Sequence, residues 1–223
     1  SVDFWLRPEK RDQTRTVFSQ ITGQQESLLT LRADGSLLFA VSVNGQEKLN
    51  ITTPAGVIQK GLWSYIVLTQ EGNAFALYVD GEKKASLQSP FTLSQGRSPV
   101  FVGGNGTAGQ NDFRGWIDDF RLMNDVSWIQ KMKQENDPEN VFKKDLFVPV
   151  APYAADSQTA FLLRNGSGSR VSFLDASPVA SPIDITGDAR VDTAYSIFKS
   201  SPRPPEENRL IEGASMVFGD KGD

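Results

Sequence analysis

From residue 1 to about residue 125 the apolar positions come in short bursts separated by turn residues. Thr16 to Ile21, Ser27 to Leu31, Leu37 to Val43, Trp63 to Thr69, Ala74 to Val79 and Val100 to Val102 are rich in Val, Ile, Leu, Phe and Tyr. These side chains favour a pleated, half-buried backbone. Hairpin cues fill the gaps: Ala33-Asp34-Gly35, Asn44-Gly45, Glu71-Gly72-Asn73 and Asp80-Gly81. Asn, Asp and Gly tolerate the positive φ that tight turns between twisted strands demand. Leu37, Phe39, Val41 and Val43 alternate with Leu38, Ala40 and Ser42, so one face of that strand is expected to pack on a second sheet. Strands this short at this spacing predict an all-β, two-sheet antiparallel sandwich.

Near Val126 the pattern changes. "SWIQKMKQENDPEN" holds the one plausible helical stretch, ended by Pro138, and "FVPVAPYAADSQ" reads as an extended, proline-bearing surface linker. "TAFLLRN" is a strand; the Gly, Ser, Pro and Asp density of "GSGSRVSFLDASPVASPIDITGDARVD" predicts short strands on a loop-rich edge. "KSSPRPPEEN", residues 199–208, is expected to be a mobile loop. The last segment, "GASMVFGDKGD", alternates Ala214, Met216 and Phe218 before a Gly-Asp-Lys-Gly-Asp turn, and the first, "SVDFWLRPEK", reads as a strand in progress.

Composition narrows the chemistry. A chain of 223 residues with 39% hydrophobic side chains can bury a sizeable core, as one large β domain or two small ones. Net charge is −4, pI is near 5.0, and Lys and Arg are scattered, so neither nucleic acid nor a membrane is expected as a partner. No apolar run approaches the roughly 18 residues needed to span a bilayer. Absence of Cys excludes disulfides and thiolate metal sites. Absence of His removes the commonest general base near neutral pH, and with it Ser-His and Cys-His nucleophile pairs. Asn50-Ile-Thr, Asn105-Gly-Thr and Asn165-Gly-Ser fit the glycosylation sequon, a triplet frequent by chance.

"GLWSYIVLTQEGNAFALYVDGEKKAS", "VFVGGNG" and "FRGWIDDFRLMN" together resemble the laminin-G-like, concanavalin A-like jelly rolls, particularly those of phage virion proteins. The resemblance rests on Trp63 in its strand, the Val79-Asp80-Gly81 turn, the strand end Gly103-Gly104, and the closing strand Gly115 to Arg121. "DSQTAFLLRNGSGSRVSFLDAS", "ITGDARVDTAYSIF" and "GASMVFGDKGD" resemble the opening third of the same family, whose next strand would be like "SVDFWLRP". The strand order is therefore expected to be circularly permuted, with one short helix at most. Residues 1–130 would supply the later two-thirds of a sandwich, 131–158 a linker, and 159–223 the first third. The last part could complete the sandwich in cis, complete a neighbouring subunit's sandwich, or belong to a tandem array.

The resemblance also frames the candidate sites. Related retaining glycoside hydrolases need two carboxylates about 5 Å apart on one face. Asp118-Asp119 is the comparable pair here, but neighbours on a regular strand point to opposite faces, so no enzymatic activity is expected. Calcium is the cofactor the family implies; Asn105, Asn111 and Asp112 in "GGNGTAGQND", with Asp175 in "FLDAS", are the candidate oxygen ligands, although such residues more often serve the turn itself. Trp116, with Asn105 and Asp112, is the candidate sugar platform. The expected function is a non-enzymatic structural or adhesion module on a virion or extracellular surface, packing against copies of itself or other virion or surface proteins. A lectin-like module that binds a glycan is the alternative.

Overall fold

The computed structural model describes residues 1–93, 98–106, 111–129, 145–146, 148–165, 173–192, 197–198 and 215–218. Its larger sheet runs through β12 (Phe173–Asp175), β11 (Thr159–Asn165), β10 (Gly115–Met123), β1 (Val2–Pro8), β6 (Ser64–Glu71), β7 (Ala74–Val79) and β8 (Glu82–Gln88). β14 (Ser215–Phe218) adds to β10, and β13 (Arg190–Asp192) adds to β14. The smaller sheet is ordered β5 (Gln46–Thr52), β4 (Leu37–Val43), β3 (Gln25–Leu31), β2 (Arg15–Thr22) and β9 (Val100–Val102). Strand pairings in both are antiparallel. This is the expected two-sheet jelly-roll sandwich, with almost no helix among the described residues. Residues 127–129 are helical, and the rest of the expected helix, like the loop 199–208, lies outside the described residues.

Period-two patterning builds the interior. Phe4 and Leu6 of β1, Ile66 and Leu68 of β6, and Phe75, Leu77 and Val79 of β7 face Leu29 and Leu31 of β3 and Leu37, Phe39 and Val41 of β4. Phe120 of β10 stacks on Phe4, ring centres 5.4 Å apart, and meets Phe18 of β2 edge-on across the sandwich. The predicted turns take the predicted geometry: Asn44 and Gly45 have φ of 52° and 74°, and Asp80 and Gly81 have 51° and 83°. Positive φ at both central residues matches the right-handed twist of the flanking strands.

β5 and β8 carry no apolar burst, and the reading above missed them. Their sequences, "QEKLNIT" and "EKKASLQ", are largely exposed edge strands. Charged side chains are what keep a free edge from pairing with another chain.

A second cluster covers the outer face of the larger sheet. Trp5, Tyr65, Val67, Ala76, Tyr78 and Met123 point away from the sandwich interior and pack beneath Trp128, Ile129, Leu146, Val148, Tyr153, Ile197 and Phe198. The connection expected to be a surface linker is thus partly buried, with Leu146 fully so. It is stitched down where Leu146 N–H donates to the Gly81 carbonyl at 2.8 Å and Lys83 N–H to Asp145 Oδ2 at 2.7 Å. β6 is accordingly buried on both faces from Ser64 to Thr69, as its unbroken apolar run "YIVL" allows.

Gly115 opens β10 opposite Pro8 with φ of 144°, and a Cβ there would press on the Arg7 carbonyl and lie 2.9 Å from Glu9 N. Gly45, by contrast, has open space around it. Gly115→Ala should therefore lower unfolding free energy by at least about 3 kcal/mol, and Gly45→Ala by about 1–2 kcal/mol for positive φ alone. Urea denaturation of the two variants checks the order.

Candidate functional site

The described residues of the glycine-rich loop after β9 are tied to β2. Trp116 on β10 is half-buried; its indole N–H donates to Asp192 Oδ2 at 3.0 Å and the Arg7 guanidinium lies 4.7 Å from its ring centre. That ring joins β10 to β13 and β1. Asn111 takes φ of 63°, and its carbonyl accepts from Thr16 N–H at 2.6 Å. The Asp112 carbonyl accepts from Arg15 Nη1 at 3.1 Å, and its carboxylate lies close against Gly104. Asn105 is half-buried in the same loop; residues 107–110 between these positions lie outside the described residues.

Asp175 sits elsewhere, on β12, as the hub of a turn. Its Oδ1 accepts from Leu162 N–H at 3.0 Å and Ser177 N–H at 2.9 Å; its Oδ2 accepts from Ser177 Oγ at 2.9 Å and Ser181 N–H at 2.7 Å. Four donors occupy the lone pairs a calcium ion would need. Asp175 is therefore withdrawn from the candidate metal ligands. Among the described residues, no group of three or more acidic side chains converges as a metal cage.

The acid pair on β10 departs from regular alternation. The pairing of β1 with β10 shifts register between Asp3 and Trp5, and Asp119 takes φ of 51°. This β-bulge puts an extra residue in β10. With Ile117 and Phe120 in the interior, the Asp118 and Asp119 carboxyls both reach groups of the outer cover, so the expected opposite-face placement does not hold. Neither carboxyl lies open, however. Asp118 accepts from Asp119 N–H at 2.9 Å and Ile197 N–H at 3.3 Å, while Asp119 Oδ2 accepts from Tyr153 N–H at 2.9 Å. Arg164 Nη2 stands 3.6 Å from Asp119 Oδ1.

Beside them lies a buried charged network. Arg121 donates to Asp3 through Nε at 3.0 Å and Nη2 at 3.2 Å, and Tyr65 OH donates to Asp3 Oδ2 at 2.9 Å. Tyr65 OH also bonds Tyr153 OH. The guanidinium packs against the rings of Tyr153 and Trp128, at 3.4 and 4.5 Å from their centres. Burial pushes the Tyr65 and Tyr153 phenols well above their ordinary range, with the Asp3 charge adding to it. Both stay protonated as donors.

Where the outer cover ends, the face of β6, β7 and β8 opens into a shallow groove of about 290 Å³. Ala74 and Ala76 floor it, and Thr69, Glu71, Lys83, Ser86 and Gln88 rise around them. Two small side chains between longer ones make the depression. Lys83 Nζ lies 5.7 Å from the Tyr78 ring centre. Burial, then the nearby Asp145 and Glu71 charges, raise the Tyr78 phenol. Hydroxyl, amide, carboxylate and ammonium groups thus surround an apolar floor, an arrangement suited to a polar ligand with hydrophobic faces. These residues were not singled out from the sequence, since they belong to two ordinary hairpins.

Residues 1–127 match the family profile described as the concanavalin A-like lectin/glucanases superfamily, of laminin G type. Three solved structures are similar. A SAP-like pentraxin from Limulus polyphemus is 23% identical with a TM-score of 0.42, over 54% of this chain and 61% of that one. Domains LG4-5 of the mouse laminin alpha1 chain are 18% identical with a TM-score of 0.41, over 54% and 33%. A candidate carbohydrate binding protein of Bacteroides ovatus ATCC 8483 is 16% identical with a TM-score of 0.47, over 78% and 48%. The match thus spans between 33% and 61% of the length of those chains. No curated protein matches the sequence.

Burial pushes the Asp175 carboxyl up, but the N–H groups of Leu162, Ser177 and Ser181 outweigh it and hold the group below its ordinary value. A depressed carboxyl stabilises the fold above the unfolded value and loses that contribution as pH falls through the folded one. Asp175→Asn should cost about 2 kcal/mol at pH 7. The gap between wild type and variant should narrow in urea titrations at pH 3.

Proposed function

The chain belongs to the concanavalin A-like lectin/glucanases superfamily, and on that footing we propose that it is a non-enzymatic adhesion module of a virion or other surface assembly, holding a glycan on the outer face of its larger sheet. The observation that carries this reading is the groove over β6–β8, where sheet face is left open and hydrogen-bonding side chains ring two alanines. A pyranose offers the complement: hydroxyls at its rim for Lys83 and Gln88, and C–H faces for the floor. The binding surface is preformed, since β6, β7 and β8 are consecutive antiparallel strands joined by two-residue turns.

The non-enzymatic part rests on the acid pair. Glycoside hydrolysis needs two carboxylates that both touch the sugar. Asp118 and Asp119 share a face, yet one oxygen of each is held by a backbone N–H of the cover, from Ile197 and Tyr153.

Protein packing is the second reading, and a specific feature favours it. Val150, Val179 and Ile185 are 83%, 57% and 52% exposed, and a partner that covered them would gain by their burial. Packing by strand addition at β5 or β8 is disfavoured, because Glu47, Lys48, Glu82, Lys83 and Lys84 line those edges.

Screening of the purified chain on a glycan array should reveal ligands whose affinity drops about tenfold or more in Lys83→Ala and Gln88→Ala, the loss of one or two good hydrogen bonds. Trp116→Phe should leave that affinity unchanged. Loss of binding in Trp116→Phe with retention in Gln88→Ala would move the site back to the glycine-rich loop. A chain that binds no glycan but sediments as an oligomer would favour packing.

A further inference from the structure

We propose that Asp119 is a proton-operated clasp, holding residues 148–153 onto the outer face of the larger sheet and tightening its hold when the carboxyl takes up a proton. The argument begins with the bulge. A left-handed backbone at Asp119, φ of 51°, turns its side chain outward beside Asp118 rather than toward the interior with Phe120. There its Oδ2 accepts the Tyr153 N–H at 2.9 Å, a direct tie between β10 and the covering segment.

The other oxygen is badly served. Asp119 Oδ1 is buried without a hydrogen-bond partner, and Arg164 Nη2, at 3.6 Å, is too far to donate well. Among the described residues, every charged or titratable neighbour can be named. Arg164 faces the carboxyl from β11, Asp3 from β1, Arg121 and Asp118 from β10 itself, and Tyr153 from the cover. Two of these are anions, and Arg121 is already spoken for by Asp3. An ionised carboxyl that is 5% exposed with one bare oxygen is costly to hold. A protonated one places a neutral O–H at the bare position while Oδ2 still accepts from Tyr153.

With the cover lifted, water solvates the carboxylate and returns it toward its ordinary value of 3.8; with the cover down, burial pushes it up to about 6, against the pull of Arg164. The sign follows from linkage. A raised carboxyl favours the closed state fully below 3.8, and that preference is lost as pH rises through about 6. For those two values the opening constant rises about tenfold between roughly pH 5 and pH 7. Asp3 is also buried and raised, but both its oxygens are bonded to Arg121 and Tyr65, so it has no bare position to fill.

Amide hydrogen exchange on the whole chain, corrected for the intrinsic pH dependence of exchange, tests this at Tyr153 N–H with Leu29 N–H in the smaller sheet as reference. The expected result is about tenfold less protection of Tyr153 at pH 7 than at pH 5, with Leu29 unchanged. Asp119→Asn should abolish the difference. Arg164→Gln, which removes only the facing cation, should move the midpoint to higher pH and keeps the test available if the first variant folds poorly. A flat wild-type profile, a slope that survives Asp119→Asn, a midpoint unmoved by Arg164→Gln, or an equal slope at Leu29 would each overturn the proposal.

Discussion

A buried ion pair, Asp3 with Arg121, dictates the organisation of the larger sheet. Asp3 has no exposure and Arg121 is 5% exposed, so both charges have left water, and an interior pair of this kind persists only if its remaining hydrogen-bonding capacity is met. Here two guanidinium N–H groups and the Tyr65 hydroxyl satisfy Asp3, while Tyr153 and Trp128 shield the planar cation. The pair sits in adjacent strands directly opposite one another, Asp3 across from Arg121. A slip of one residue between β1 and β10 would turn Asp3 toward the sandwich interior and leave Arg121 alone. Setting that register is a better account of the pair than any net gain in stability.

From this pair the outer cover follows. Charges on an outer sheet face would ordinarily stay wet, and the face would need nothing above it. Once they are dry, the rings that enclose them must come from somewhere, and Tyr153, Trp128 and Phe198 come from segments beyond β10. Trp5, Tyr65 and Val67 then become buried on the side of the sheet opposite the main core. Among the described residues the cover stops short of Ala74, Glu71 and Gln88, and the groove lies at the β8 end of the sheet.

Much of this fold was legible in the sequence where a strand has one dry face. Bursts such as "LLFAVSV" and the Asn44-Gly45 and Asp80-Gly81 turns announced both the strands and the geometry that joins them. β5 and β8 escaped because an edge strand needs backbone pairing on one side only, and its side chains answer to solvent. The doubled burial of β6 was visible as the unbroken run "YIVL", but which residues would cover it was not, since that depends on long-range contacts between Tyr153 and Tyr65, 88 residues apart. The surroundings of the candidate site residues were hidden for a related reason. Trp116 looks like any aromatic beside a polar loop until Asp192 and Arg7 are seen to engage it, and no local cue marks the bulge, because Asp119 reaches its left-handed backbone only where β1 and β10 lose register.

That bulge separates two outcomes available to a sandwich of this superfamily. On a regular strand, Asp118 and Asp119 would have faced opposite ways, one wet and one among Phe4, Phe18 and Phe120. The extra residue spares the interior a charge and gathers both carboxyls outside, which is the arrangement a hydrolase needs. The chain then lays Tyr153 and Ile197 over them, the Tyr153 N–H donating to Asp119 Oδ2 and the Ile197 N–H to Asp118 Oδ2, while Asp119 Oδ1 keeps no hydrogen-bond partner. These bonds hold the covering segments against the sheet. Among the described residues, the outer face of β7 beyond that cover carries the groove floored by Ala74 and Ala76.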